Sequence, residues 1–214
     1  MSDDKVSPEL SPDDVHSYWF AGTENDARAS AERMSFWFQG SDATDAEVRA
    51  KFAAHIQPAA DGDYSHWGRN ARECLSLIIL LDQFPRNVYR GKAMAFDFDA
   101  LALGLTIVGV KMGYLDELSP IEQVFFLMPY QHVEDIERQR DGIKLYEAVT
   151  EAAPPEWQQL TAGCCDFARQ HLEIIEEFGR FPHRNTVLGR TSTPAEQAYI
   201  DGGGASFGQS SDES

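Results

Sequence analysis

Apolar residues recur at helical spacing along most of this chain. Val48, Phe52 and Ile56, for example, are four residues apart. A spacing of three or four residues lines up side chains on one face of an α-helix, whereas a half-buried strand alternates at every second residue. One stretch, residues 106–110, has the composition of a strand, but it contains a glycine and is flanked by helical spacing. The pattern therefore predicts an all-α protein.

Four short sequences are typical of helix starts. Ser11, Ser119 and Thr193 are each followed by a proline and, three positions later, by an acidic residue, while Thr44 is followed by Glu47 without a proline. A hydroxyl at the cap and an acid at the third helical position satisfy free backbone N–H groups, and proline suits the first helical position. With the apolar periodicity, these starts predict nine helices, over residues 12–21, 24–37, 44–60, 68–84, 92–112, 119–128, 130–150, 155–178 and 193–200.

The length and the end of the chain indicate one domain with a tail. A chain of 214 residues with 43% hydrophobic residues has enough apolar side chains for one sizeable core. We therefore predict a single helical domain over residues 1–200. Residues 201–214 are rich in Gly and Ser and have few apolar side chains to bury, so we expect a tail that is flexible or packs on a neighbour.

Charge and cysteine content narrow the class of partner. The chain has 18 basic and 35 acidic residues, a net charge of −17, which disfavours duplex nucleic acid and anionic membranes as partners. Residues 1–10 lack the apolar stretch of a signal peptide, and the apolar run over residues 100–110 is too short to span a bilayer. The three cysteines have no metal-ligand spacing. These features predict a soluble cytoplasmic protein with neither a metal nor a cofactor, and they leave its oligomeric state open.

Two similar segments lie 97 positions apart, each directly after an apolar helical run. The first Phe-Pro segment is Phe84-Pro85-Arg86-Asn87, and the second Phe-Pro segment is Phe181-Pro182-His183-Arg184-Asn185. We expect each proline to end its helix, so that an arginine and an asparagine stand just beyond the helix end. If the two helix ends meet in the fold, they form a polar site.

The second Phe-Pro segment lies in a basic stretch of an otherwise acidic chain. Between Phe178 and Arg190 there are three arginines and no acidic residue. The planar guanidinium group suits bidentate binding of a carboxylate or phosphate. This positive charge is either neutralised by acids such as Asp82, Asp97 or Asp99, or left for an anionic ligand. The candidate ligand-binding residues are Arg86, Asn87, Arg90, Arg180, His183, Arg184, Asn185 and Arg190.

Three polar residues on apolar helix faces are candidates for catalysis. Asp82 continues the apolar stripe of one predicted helix, and His132 and His171 lie on the apolar faces of two others. A buried polar side chain usually belongs to a satisfied hydrogen-bond network. A carboxylate beside two imidazoles also supplies a general base. A metal site is disfavoured, because His132 and Glu134 face different sides of a helix.

Several longer motifs follow one another along the chain. They are Tyr18-Trp19-Phe20, then Leu81 to Asn87 with Arg90, then Met128 to Glu134 with Gln139, and finally His171 followed by Phe178 to Arg190. In this order they resemble the bacterial domain-of-unknown-function 924 family over about residues 12–200. The resemblance implies tetratricopeptide-like antiparallel helix pairs stacked into a superhelix, and it implies no reaction. One departure is Tyr130, where the family pattern has a leucine, and we expect this change to affect packing more than chemistry.

Three functions remain open at this point. The first is a binding module whose arginines and asparagines hold a small anionic molecule or an acidic peptide end. The second is a hydrolase or lyase on an anionic substrate, with His132 or His171 as general base and Asp82 orienting it. In the third, the same residues form an internal polar network, and the function lies on a partner surface elsewhere.

Overall fold

The computed structural model describes residues 10–208, and in this range the protein consists of helices and turns without a β-strand. The all-α prediction is therefore confirmed. The nine α-helices of this range are α1 (Pro12–Phe20), α2 (Ala27–Phe38), α3 (Asp42–Asp61), α4 (Ala71–Val88), α5 (Asp99–Lys111), α6 (Pro120–His132), α7 (Ile136–Ala152), α8 (Pro155–Phe178) and α9 (Pro194–Asp201). Short 3₁₀ helices span Ser65–Arg69, Ala93–Phe96, Tyr114–Glu117 and Pro182–Arg184.

Three of the four predicted helix starts have the capping box that the sequence indicates. In α1, Ser11 accepts a hydrogen bond from the backbone of Asp14, and the Asp14 carboxylate accepts one from the backbone of Ser11. Helices α6 and α9 begin in the same way. The predicted start at Thr44 is wrong. Helix α3 already begins at Asp42, because Ser41 accepts a hydrogen bond from the Thr44 backbone and serves as the cap.

Two prolines that directly follow predicted helix ends lie inside helices. Helix α4 continues through Pro85 to Val88, and α6 continues through Pro129 to His132. A proline in the last turns removes one backbone hydrogen bond. The residues around both prolines are buried by neighbouring helices, so packing compensates for that loss. The side chains that follow each proline therefore stand on the last turn of a helix rather than on a loop.

Helix α8 has the predicted bounds, but two other predictions differ from the structure. Pro182 does not end α8, and the helix predicted from residue 92 begins later. Helix α8 ends at Phe178, and the chain turns at Gly179, whose φ of 70° lies in the left-handed region that glycine adopts without strain. Pro182 then begins a 3₁₀ helix rather than ending α8. The helix predicted over residues 92–112 is interrupted after its first turn, and α5 begins only at Asp99.

Helices α4 and α6 form the centre of the fold. Helix α4 is buried over nearly its whole length and packs against α1, α3, α5 and α6, while α6 also packs against α7 and α8. In the main core, the ring of Trp19 lies edge-on to Phe84 and Phe125, with centroids 5.7 and 5.5 Å apart. The C-terminal ends of α4 and α6 therefore lie inside the protein, together with the polar residues that they carry.

Helix α5 has an exposed apolar face. The side chains of Leu101 and Val108 are 46 and 57% exposed, and that of Met112, directly after the helix, is 65% exposed. With the preceding 3₁₀ helix, the stretch Ala93–Lys111 is the one part of residues 10–208 long and apolar enough, by length and composition alone, to cross a membrane. This is weak evidence for a membrane span, since a core helix of a soluble protein passes the same test. At the start of α5, Asp99 pairs with a buried arginine and ties this helix to the rest of the fold.

The chain after α9 folds back onto the helices. The ring of Phe207 stacks on the imidazole of His171 with centroids 3.5 Å apart. Arg90 also donates a hydrogen bond to the backbone carbonyl of Gly208. The first part of the predicted tail thus packs on the protein itself, whereas residues 1–9 and 209–214 lie outside the described residues.

Candidate functional site

A cavity of about 320 Å³ lies at the C-terminal ends of α4 and α6. Helix α8, the second Phe-Pro segment, the end of α2 with Gly40, and residues 205–208 complete its wall. Both Phe-Pro segments therefore contribute to one cavity. The predicted site residues that line it are Arg86, Asn87, Arg90, His132, His171, His183 and Arg184. The predicted site residues outside its wall are Asp82, Arg180, Asn185 and Arg190.

Asp82 and His132 form a buried pair between α4 and α6. Asp82 Oδ1 lies 2.7 Å from His132 Nδ1, and Asp82 Oδ2 accepts a hydrogen bond of 2.5 Å from Gln83. The guanidinium group of Arg86 lies 3.3 Å from Asp82 Oδ1. Burial by itself raises the pKa of Asp82, but His132 and Arg86 outweigh burial and hold this pKa at about 2. Asp82 is therefore an ionised acceptor that orients the ring of His132.

The imidazoles of His132 and His171 are neutral near pH 7. Burial is the main cause that lowers the pKa of His132, and Arg86 lowers it further. Burial also lowers the pKa of His171 well below its usual range, with a further contribution from His132, whose ring centroid is 5.9 Å away. Because the Asp82 carboxylate accepts a hydrogen bond from Nδ1 of His132, the neutral ring carries its proton there and Nε2 is an acceptor. His132 thus has the tautomer of a general base.

Asp99, at the start of α5, joins the two Phe-Pro segments. Arg86 of the first segment donates two hydrogen bonds to Asp99, of 2.8 and 3.0 Å, and a third of 2.7 Å to the backbone carbonyl of Asp82. Arg184 of the second segment reaches the same carboxylate at 3.4 Å. Of the three acids considered as partners from the sequence, Asp82 and Asp99 contact these arginines, while Asp97 is exposed. A shared buried ion pair therefore holds the segments together.

Arg184 has fewer hydrogen bonds than Arg86, although it is only 6% exposed. Among the described residues, its side chain has one hydrogen bond, the 3.4 Å contact to Asp99, and its Nε atom has no partner. Its guanidinium group lies 4.3 Å from the ring centroids of Phe96 and Phe181. Burial lowers the pKa of Arg184 to about 10, and Asp99 offsets only part of this effect. At Arg86, the attraction of the neighbouring carboxylates outweighs burial and raises the pKa.

The other arginines of the basic stretch are paired with carboxylates. Arg180 donates hydrogen bonds of 2.5 and 2.8 Å to Glu196, and Arg190 donates hydrogen bonds of 2.6 and 2.9 Å to Glu134. Arg190 also donates to the side chain of Asn185. The sequence did not indicate that Glu196 binds Arg180. An acid at this position is already explained by the capping box of α9. Arg180 with Glu196, and Arg190 with Glu134 and Asn185, thus form two structural groups outside the cavity wall.

Asn87, the last residue of the first Phe-Pro segment, and Arg90, three residues later, both bind the same carboxylate. Both donate hydrogen bonds to Asp45, at 2.8 Å from Asn87 and at 2.6 and 2.9 Å from Arg90. Asp45 stands in the first turn of α3, where an acid is common for reasons of helix stability. Asn87 and Arg90 lie 42 and 45 positions after Asp45 in the sequence, and they reach it because α3 packs on α4.

The cavity wall also includes residues that were not predicted from the sequence, among them Gln83, Gln131 and Phe207. Within the described part of the chain, Gln131 Oε1 and His183 Nδ1 are buried without a hydrogen-bond partner. Burial, together with Arg184, lowers the pKa of His183 to about 3. Residues 10–208 contain no group of three or more His, Cys, Asp or Glu side chains placed to hold a metal ion. The wall thus presents neutral imidazoles, unpaired polar atoms and one weakly bonded guanidinium group.

Comparison with known proteins identifies relatives of the whole domain. The family model described as "Bacterial protein of unknown function (DUF924)" matches residues 15–204. A solved structure of a protein of unknown function, ATU0120 from Agrobacterium tumefaciens, has a TM-score of 0.73 and 30% sequence identity, over 89% of this chain and 97% of that chain. No curated protein matches the sequence. The family match includes the whole cavity wall except Ala205, Phe207 and Gly208.

Proposed function

This chain belongs to the bacterial DUF924 family, whose description specifies no reaction, and from its cavity we propose that the protein binds a small anionic ligand. The carboxylate or phosphate group of that ligand binds the guanidinium group of Arg184. The volume of about 320 Å³ is at the lower end for small-molecule cavities, which favours a small molecule over an acidic peptide end.

The weakly bonded guanidinium group of Arg184 carries this proposal. An arginine side chain has five N–H donors, and Arg184 uses one of them in a contact of 3.4 Å. Buried donors without a partner are destabilising, so an acceptor that enters the cavity gains their hydrogen bonds. Carboxylate and phosphate groups offer two oxygens in the geometry that a guanidinium group prefers.

The protonation state of the cavity wall supports the same ligand class. Arg86 and Arg184 are balanced by Asp82 and Asp99 while the imidazoles remain neutral. An added anion raises the pKa of a neighbouring imidazole, because an opposite charge favours the protonated form. Binding of the anion therefore includes uptake of a proton by the cavity wall, and the affinity rises as the pH falls.

Titration with inorganic phosphate and with acetate tests the proposal. Replacing Arg184 by alanine should weaken binding about 10-fold or more, since a hydrogen bond to a charged group contributes about 1.5–3 kcal/mol. The fold should persist, because Asp99 keeps its two hydrogen bonds from Arg86. Affinities come from calorimetry or NMR shifts at pH 8 and pH 6, and circular dichroism checks the fold.

Arg180→Ala is the matched control, because Arg180 belongs to the same basic stretch but lies outside the cavity wall. This variant should bind both anions as the wild type does. The proposal is wrong if Arg184→Ala binds phosphate and acetate with unchanged affinity, or if the wild type binds neither of them at concentrations up to about 50 mM.

A second candidate function is hydrolysis or elimination on an anionic substrate, favoured by the Asp82–His132 pair. The 2.7 Å contact orients His132, which lies in the cavity wall, as a general base whose acceptor nitrogen is Nε2. Among the described residues, the cavity wall has no Ser, Thr or Cys. In a hydrolytic reaction the nucleophile is therefore a water molecule activated by His132.

Turnover of a panel of anionic esters, phosphate monoesters and hydroxy acids tests this second function. His132→Ala should lower any observed rate by about 100-fold or more, which is typical for loss of a general base. His171→Ala serves for comparison, since its Nδ1 is bonded to the backbone of Phe167 rather than to a carboxylate. Activity that survives both substitutions removes the proposed base.

Two finer features of this protein are also proposals. The close packing of α3 with α4 and of α7 with α8 supports a tetratricopeptide-like stack of helix pairs. The three cysteines, Cys74, Cys164 and Cys165, are free and buried, which supports a reducing cytoplasm.

A further inference from the structure

A second cavity, of about 160 Å³, adjoins the first. The two cavities share four wall residues, Phe38, Met128, Gln131 and Phe167. The polar cavity and the smaller cavity thus meet at these four side chains, which form their shared wall. A ligand that extends past this wall contacts both cavities.

The second cavity is apolar in its chemistry. Besides the shared residues, its wall includes Met34, Tyr146, Gly163 and Cys164. Burial raises the pKa of the Cys164 thiol to about 12, so this thiol stays neutral and acts as a small apolar group. The hydroxyl of Tyr146 donates its hydrogen bond to the backbone carbonyl of Val124, which leaves the ring to face its neighbours. No charged side chain of the described residues lines this cavity.

Gln131 is the polar residue in the shared wall. It is 4% exposed, and its Oε1 atom has no hydrogen-bond partner among the described residues. A buried acceptor without a partner is unfavourable, and such atoms in native proteins usually mark a bound water or ligand. This atom therefore marks the shared wall as a place that a bound molecule reaches.

We propose, on the basis of the function proposed above, that the ligand is an amphipathic carboxylic acid with a short apolar chain. Its carboxylate binds Arg184 in the first cavity, and its apolar chain fills the second cavity between Met34, Tyr146 and Cys164. Neither cavity by itself explains both the weakly bonded guanidinium group and the apolar space next to it. The small volume of the second cavity limits the chain to a few carbon atoms.

Gly163 offers a clean way to fill the second cavity. It lies in α8 at the exposed edge of this cavity, and a Cβ atom built on it has no heavy atom within 4 Å. The Cβ atom of Gly163→Leu therefore meets no neighbouring atom, and leucine favours the helix more than glycine does. Gly104→Leu is the matched control, since Gly104 is an exposed glycine of α5 with equally free space and lies in neither cavity wall.

The experiment compares acetate with hexanoate as probes, by calorimetry or NMR titration of the full chain. The wild type should bind hexanoate at least about 10-fold more tightly than acetate, because burial of the extra methylene groups is favourable. In Gly163→Leu this ratio should fall to about two or less, while the affinity for acetate stays as in the wild type. The Gly104→Leu control should keep the wild-type ratio.

The outcomes separate the two proposals. Equal affinity of the wild type for both probes, or an unchanged ratio in Gly163→Leu, overturns the apolar subsite and leaves anion binding intact. Hexanoate binding that is unaffected by Arg184→Ala overturns the assignment of the carboxylate to Arg184. Failure of both probes and of phosphate to bind overturns the proposed function itself.

Discussion

Single residues in the cavity wall are held in one protonation state by burial. His132, His171 and His183 all have a lowered pKa, with burial as the first cause in each case. When a histidine pKa is lowered by folding, the unfolded chain takes up a proton at a pH where the folded protein does not. The resulting stability is fully present above the unfolded pKa of 6.5 and is lost as the pH falls towards the folded pKa.

The free energy of unfolding should therefore fall as the pH is lowered from 7 to 5, and His183 should account for a measurable share. With a folded pKa of about 3, His183 alone contributes about 2 kcal/mol to this fall. In His183→Gln, the loss of stability between pH 7 and pH 5 should be smaller by a similar amount. Urea unfolding at the two pH values measures it.

His66→Gln is the control for this pH experiment, because His66 is exposed. It should show the same pH dependence as the wild type. If His183→Gln and the wild type lose equal stability between the two pH values, the imidazole of His183 is not held neutral by the fold. Below about pH 4 a further loss is due to Asp82, whose pKa is lowered from 3.8 to about 2.

At the residue scale, sequence patterns predicted the kinds of side chain in the site but not their state of bonding. Asp82 and His132 were predicted on apolar helix faces, and Arg184 just beyond a helix end, as candidates for one polar site if the helix ends meet. The sequence cannot show that Arg184 keeps one long hydrogen bond, because this depends on how Arg86 occupies both oxygens of Asp99. Differences of a few tenths of an ångström between donor and acceptor decide whether such a hydrogen bond is strong or weak.

At the scale of helices, Gly142 controls how closely α7 approaches α6. A Cβ atom built on Gly142 would lie 2.5 Å from the Cβ of Tyr130. Tyr130 stands where the family pattern has a leucine, and its packing against a glycine agrees with the expectation that this departure affects packing. The contact lies at the end of α6 near His132, so the spacing of these helices also positions the site.

Gly142→Ala should lower the free energy of unfolding by about 1–3 kcal/mol, because the added methyl group overpacks the contact between α6 and α7. Gly163→Ala is the matched control, since its Cβ meets open space in α8. That control should instead gain up to about 1 kcal/mol from the better helix propensity of alanine. Thermal or urea unfolding of both variants measures the difference, and equal stability of the two contradicts the close contact.

Helix starts with a capping box were predicted better than the helix ends beside Pro85 and Pro129. The starts of α1, α6 and α9 depend on local capping groups, which the sequence displays directly. The ends of α4 and α6 depend on burial of the last turns by other helices, which overrides the local preference of Pro85 and Pro129. Because of this override, Arg86 and Asn87 are presented from a rigid helical turn.

At the scale of the whole molecule, the ion pairs connect elements that are far apart in sequence. Arg184 and Asp99 are separated by 85 positions, and Arg190 and Glu134 by 56 positions. The chain has about twice as many acidic as basic residues, so composition alone offers many possible partners for each arginine. In the folded protein the arginines around the cavity pair with four of these acids, Asp45, Asp99, Glu134 and Glu196. The cavity lies among these pairs.

The sequence by itself determined that this protein is helical, where several helices begin, which residues are apolar enough for the core, and which polar residues face inward. These properties follow from local periodicity and capping. Only the tertiary structure decided the partner of each charged group, the volume of the two cavities, and the contact of Phe207 with His171. Such properties depend on distances between segments remote in sequence, which the packing of α4 and α6 against their neighbours sets.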